Sequence, residues 1–195
     1  MPLYSARVHR PPLERSRDAV LEHATAVLTA EPAASLADVA RALGIGRTTL
    51  HRMFPTRASL LRAMAERAID LLEETYAGAG LGDPGADAVP ALRTAVTALI
   101  PLGPTALFLL KARELDDDDD LEARLVKANQ ALLTTVGRAI GAGAVSGPDW
   151  WATEALNALV HAAWEQVAAG RLAPADAPGL VLDTWLGGVG GPVDR

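Results

Sequence analysis

The segment SLADVARALGIGRTTLHRMFPTRASLL, residues 35–61, reads as two short helices around a glycine turn, then a proline stop and the start of a third helix. Leu36, Val39, Ala40 and Leu43 recur at i, i+3, i+4 and i+7, the spacing of one buried helical face. Ser35 with Asp38 three residues on has the form of a capping box and marks where this helix begins. Gly44 stands just past Leu43, where a helix end needs a left-handed residue and glycine supplies it without a Cβ clash. The next helix begins near Arg47, is expected to bury Leu50, Met53 and Phe54, and must stop at Pro55. Ala40, Gly44 and Leu50 then fall where a helix-turn-helix needs a small residue, a tight turn and a core anchor. Such a unit would lay its second helix in the major groove of DNA.

Charge agrees with that placement. The net charge of −6 taken whole argues against nucleic acid, but it is unevenly spread. Residues 1–67 hold ten arginines against six acids, and the remainder holds eight basic residues against eighteen acids. A basic head on an acidic body suits a DNA reader with a separate regulatory part.

GIGRTTLHRMFPTRASLL, residues 44–61, resembles the recognition-helix signature of the tetracycline-repressor (TetR) family. Gly44, Ile45, Thr49, Leu50, Phe54 and Leu60 match it, while Gly46 replaces a serine, His51 a tyrosine and Arg57 a lysine. The resemblance covers about the first third of the chain; the remainder fits by length and helical pattern. It implies an operator-binding head, a helical body that binds a small molecule and dimerises, and a fourth helix that couples the two.

Within the recognition helix, Arg47, Thr48 and Arg52 are the candidates for base edges, since arginine bonds bidentately to guanine and a threonine methyl can touch thymine. Thr49, His51, Thr56 and Arg57 match family positions that hold phosphates, and Ser35 joins them as a DNA-binding candidate. The imidazole of His51 can donate to a phosphate whether neutral or charged. Residues 1–12, with Tyr4, Arg7, Arg10 and Pro11-Pro12, read as a flexible arm.

The first helix should run from about Leu13 to Ala30, with Val20, Ala24, Val27 and Leu28 inward and Arg15 and Arg17 on its polar side. Helix 4, capped by Thr56, should reach about Tyr76. AGAGLGDPGAD, residues 77–87, breaks the pattern and is the best linker candidate, as much a loop of the body as a boundary. Helices are then expected at roughly 86–100, 104–115, 119–141, 149–169 and 177–187. No segment alternates with period two for long enough to be a strand, so the fold class is all-α: an N-terminal three-helix helix-turn-helix domain and a C-terminal helical ligand-binding and dimerisation domain. The division is set at residues 1–55 and 56–195, with helix 4 as the link.

WWATEALNALVHAAWEQVAAG is apolar nearly all round, with Ala155, Ala158, Ala162 and Ala169 near one face where another helix could approach closely. With Leu180, Val181, Trp185 and Leu186 of the last helix it would form a four-helix dimer interface, which is where the TetR family dimerises. Ala155, Ala158, Ala162, Val181 and Trp185 are the interface candidates. Tyr76, Leu99, Phe108, Leu132 and Trp164 are the candidates to line the ligand pocket that the resemblance implies. With only two phenylalanines and two tyrosines in the chain, the expected effector is small and apolar.

Other chemistry is not supported. Cysteine is absent, which removes disulfides, thiolate zinc sites and thiol nucleophiles. The four histidines, His9, His23, His51 and His161, form no pair at metal-ligand spacing. Setting Asp116 of the run Asp116–Asp120 at the first position of a calcium loop puts Leu121 where glycine is required and Lys127 where a bidentate glutamate is required. An exposed acidic loop at a helix N-terminus is the better reading. Gly44-x-Gly46 and Gly141-x-Gly143 follow no strand and are not nucleotide loops. The apolar run 98–110 is too short to span a bilayer and carries two prolines, and residues 1–17 lack a signal-peptide core.

The sequence is thus expected to be a cytoplasmic, homodimeric transcriptional regulator, a repressor released by a small-molecule effector, with double-stranded operator DNA as partner. No cofactor, no metal, no membrane and no enzymatic activity are expected. One rival is the same fold governed by a protein partner without a small-molecule ligand. The other is an enzyme that carries a helix-turn-helix, which would need a clustered polar site in the body.

Overall fold

The apolar spacing of the sequence becomes ten α-helices, with no strand among the described residues, in a computed structural model that describes residues 17–190. The expected N-terminal arm, Arg15, and the start of the first helix at Leu13 lie outside those residues. The chain divides into two compact units, one ending at Leu60 and the other beginning at Leu61.

The first unit contains α1 (Arg17–Ala30), α2 (Leu36–Ala42), α3 (Arg47–Met53) and the first turn of α4 (Arg57–Gly78). α1 packs against α2, and α2 against α3. Val20, Leu21, Ala24 and Leu28 of α1 are buried, as are Val39, Ala40 and Leu43 around α2 and Leu50 and Phe54 around α3. Each set follows the helical repeat of three and four residues that puts side chains on one face.

In the second unit α4 is followed by α5 (Ala88–Leu99), α6 (Gly103–Leu109), α7 (Asp119–Ala128), α8 (Gln130–Gly141), α9 (Asp149–Ala168) and α10 (Ala177–Gly190). α9 is the hub, packing against α6, α8 and α10, while α5 packs against α8 and α10. α5 buries Ala88, Ala91, Leu92, Ala95, Val96 and Leu99, an uninterrupted stripe at helical spacing. The helical stretch Ala88–Leu109 is long and apolar enough to cross a membrane by those measures alone, yet this stripe belongs to the core of the unit. The segment expected as a linker is a loop of this unit. Leu81 is buried, the Gly82 N–H donates to Thr135 Oγ1 at 2.9 Å, and Arg138 donates to the Ala86 carbonyl at 2.8 Å. Gly80 and Gly82 turn it at φ +75 and +81°.

The single helix expected over 119–141 is two. α7 and α8 meet at Asn129, whose Oδ1 accepts from the Tyr76 hydroxyl at 3.3 Å. The two bury different sides: α7 sets Leu121 and Ala128 against Ile69 of α4, whereas α8 sends Leu132, Val136 and Ala139 into the main core.

Charge flanks the α4–α7 contact. Arg62 donates to Asp118 at 2.8 Å and Asp120 at 3.3 Å, and Arg124 donates to Asp70 at 2.7 Å. Asp118 also caps α7 by accepting from the Leu121 N–H at 3.1 Å. The hydrogen bond from Arg62 holds the Asp118 carboxyl below its usual range and, reciprocally, holds Arg62 above its own.

Two tryptophans close the core. The fully buried Trp185 donates its indole N–H to the Ala152 carbonyl at 2.8 Å, and Trp164 donates to the Leu99 carbonyl at 3.0 Å. Trp164 lies so close to Gly103 that a Cβ there would come within 2.4 Å of its Cδ1 and 2.7 Å of its Cγ.

Gly103→Ala should therefore destabilise the chain by about 1–3 kcal/mol through overpacking. Gly137→Ala, where a Cβ meets nothing within 4 Å on α8, should stabilise it by about 0.5–1 kcal/mol. Urea unfolding followed by tryptophan fluorescence reads both, and equal effects would contradict this packing. The depressed Asp118 carboxyl contributes stability above the unfolded-state carboxylate range and loses it as pH falls through its folded value. Asp118→Asn keeps a capping oxygen and removes the charge, so its melting temperature should fall below wild type at pH 7 and converge with it in acid.

Candidate nucleic-acid interface

The turn between α2 and α3 is built from local chemistry. Ser35 Oγ accepts from the Asp38 N–H at 3.2 Å, while Asp38 Oδ2 accepts from the Ser35 N–H at 3.0 Å, which closes the capping box. At the other end Gly44 takes φ +66°. Its N–H donates to the Arg41 carbonyl at 3.1 Å, and the Ile45 N–H donates to the Ala40 carbonyl at 3.1 Å. This pair of bonds is the Schellman arrangement, which satisfies the last carbonyls of α2 and reverses the chain.

α3 follows after Gly46, which caps it without a side chain. Leu50 is its one buried residue, and Phe54, just past its end, is also buried; Met53 is only partly buried, short of the sequence expectation. The Phe54 ring carries the Arg17 guanidinium 5.0 Å above its centroid, a cation–π contact that draws α1 onto the end of α3. After Pro55, the Ser59 N–H donates to Thr56 Oγ1 at 3.0 Å and the Thr56 N–H to Ser59 Oγ at 3.1 Å, a reciprocal cap that starts α4.

With Leu50 and Phe54 inward, Arg47, Thr48, His51 and Arg52 face solvent together. Their side chains make no hydrogen bond or ion pair among the described residues. Thr49 is half-buried beside them. Thr56 spends its oxygen lone pair on the cap, which leaves its O–H to donate.

Two of the sequence candidates also hold the scaffold. The Ser35 hydroxyl donates to Asp38 Oδ2 at 2.6 Å, so its proton is committed within the capping box. Arg57 donates to the Pro32 carbonyl at 2.8 Å and fastens the first turn of α4 to the α1–α2 connection. Asp38 also accepts from Arg41 at 2.8 Å, and its partners, Ser35 foremost, hold its carboxyl below the usual range.

The candidates in the second unit divide as well. Tyr76, Leu99 and Leu132 are buried in one cluster and Trp164 packs against it, whereas Phe108 on α6 is partly buried outside that cluster. Burial pushes the Tyr76 hydroxyl up to about 12, so it remains a donor to Asn129. Of the interface candidates, Ala158 and Ala162 are exposed and Ala155 is half-buried. Val181 and Trp185 are not at a surface: both belong to the core of the unit, because α10 packs against α9 through that side. The outward side of these helices carries Trp151 and Leu180, each more than half exposed.

No family model matches the chain. Known proteins do. It is 36% identical over 153 residues to the HTH-type transcriptional repressor LfrR of Mycolicibacterium smegmatis, covering 78% of this chain and 79% of that one. The crystal structure of the TetR-like transcriptional regulator LfrR in complex with proflavine superposes with a TM-score of 0.77 at 32% identity, over 90% of this chain and 98% of that chain. AibR in complex with isovaleryl coenzyme A and operator DNA has a TM-score of 0.68 over 92% of this chain and 100% of that chain; at 20% identity it attests the fold alone. A capped α2, a left-handed Gly44 and a bare α3 are thus found in a chain similar along most of its length to LfrR, and the chain belongs to the TetR-like family of helix-turn-helix transcriptional regulators.

Proposed function

We propose that the chain is a ligand-responsive transcriptional repressor that binds a pseudo-palindromic operator as a homodimer. The observation that carries this reading is the outward row of α3, where Arg47, Thr48, His51 and Arg52 stand unpartnered on a helix whose inward side is fixed. Bare guanidinium groups on a short buried-anchor helix suit base edges and phosphates, and Thr49 and Thr56 flank them as further phosphate donors. One seven-residue helix gives little affinity, so paired half-sites and a two-fold dimer are the economical arrangement. The exposed Ala158, Ala162 and Trp151 of α9, with the exposed Leu180 of α10, are the surface on which a second copy would dock.

The related LfrR is a repressor whose structure has been solved with proflavine, which supports a small-molecule effector here. The core of the second unit is largely aliphatic with Trp164 and Trp185, and a mainly apolar effector suits such surroundings. α4 runs from the first unit into the second, so a ligand that moves its C-terminal half would alter the setting of the recognition helices.

Footprinting of the full chain on DNA upstream of its own gene, over a salt series, tests the operator reading. A protected pseudo-palindrome with steep salt dependence is expected, weakened by about 1–3 kcal/mol in Arg52→Ala. Binding indifferent to sequence and to Arg52 would overturn it. For the effector, proflavine and uncharged apolar compounds are compared by thermal shift. At a hundredfold excess over its dissociation constant a true effector adds about 2.7 kcal/mol of stability and should also release the footprint. A stabilising compound that leaves the footprint intact would contradict an effector role.

A further inference from the structure

The side chains that α3 turns outward also limit which bases it can read. At 3.6 residues per turn, Arg47, Thr48, His51 and Arg52 fall within an arc of about 140°. At 1.5 Å rise per residue, Arg47 and Arg52 lie about 7.5 Å apart along the axis, which is about two base-pair steps.

Residues 44–57 contain no Asn, Gln, Asp or Glu. The nearby carboxylate of Asp38 is occupied by Ser35 at 2.6 Å and Arg41 at 2.8 Å. In the major groove guanine presents two acceptors, O6 and N7, and thymine presents an acceptor and a methyl group. Adenine is read bidentately by a carboxamide, and the cytosine amine is read by a carboxylate. This surface supplies neither. It supplies two guanidinium forks, an imidazole and a threonine methyl.

We infer that each half-site is specified through guanine, with Arg47 and Arg52 bonding two guanines about two base-pair steps apart, on either strand, and Thr48 touching a thymine methyl. This rests on the DNA-binding reading above and adds to it the bases recognised. Arg47 and Arg52 are the specificity-determining residues, and Arg17, held over Phe54 on another helix, takes no part in base choice.

Selection from a random duplex library by the full-length protein tests the inference. The wild-type chain should enrich half-sites with two fixed guanines. Arg52→Gln should exchange one of them for adenine, with a change in base preference of about 5- to 150-fold at that position and little change at the other. Arg47→Gln should do the same at the second guanine. Should a variant fail to fold, the wild-type protein is titrated against the enriched duplex with 7-deazaguanine at each guanine in turn, which removes the N7 acceptor. Affinity should drop several-fold at two positions and stay unchanged elsewhere. An enriched site without such guanines, or one indifferent to both the glutamine variants and 7-deazaguanine, overturns the guanine inference while leaving sequence-specific binding intact. No enrichment of any sequence overturns the DNA-binding reading itself.

Discussion

α3 has seven residues and one buried anchor, Leu50, which is far too little to hold an isolated helix in water. Its existence depends on what surrounds it: the left-handed Gly44 that turns the chain out of α2, the buried Phe54 at its end, and the stop at Pro55. Because the inward side does all the holding, the outward side is released from structural duty. Arg47, Thr48, His51 and Arg52 are bare for that reason, while Ser35, Asp38, Arg41 and Arg57, equally polar and close in sequence, are consumed in caps and tethers. Function in this unit follows from a division between residues that build the turn and residues that the turn presents.

The second unit obeys a different constraint, close packing around α9. Gly103 admits the Trp164 indole against its backbone, and the indole N–H finds the Leu99 carbonyl; Trp185 does the same with Ala152. Large aromatic surfaces are buried this way without an unsatisfied donor. α4 and α7 are joined by apolar contact around Ile69 and Leu121, with Arg62–Asp118 and Arg124–Asp70 alongside. Those partly exposed ion pairs fix register and add only modestly to stability.

What could be read from sequence was local. The capping box of Ser35 and Asp38, the positive φ of Gly44 and the stop at Pro55 each depend on residues within a few positions of one another, and all stand in the structure as the spacing indicated. Long-range pairing was not legible: nothing near Arg62 in the chain points to Asp118, and nothing near Tyr76 points to Asn129. In the acidic run, the place of the last aspartates at a helix N-terminus was legible, and the ion pair of Asp118 with the distant Arg62 was not. α10 failed for another reason. Asp183 and Thr184 share the exposed side with Leu180, but spacing alone could not say that the opposite side, with Val181 and Trp185, packs within the core of the same chain. In the candidate interface, the resemblance marked Arg57 for a phosphate, and only geometry revealed its bond to the distant Pro32 carbonyl.

Amide hydrogen exchange on the full chain, with and without a duplex carrying the footprinted sequence, tests the division between building and presenting residues most directly. Protection gained on binding should concentrate in residues 44–57. Protection confined to α9 and α10, with α3 exchanging as it does in the free protein, would contradict the assignment of α3 as the DNA-reading surface.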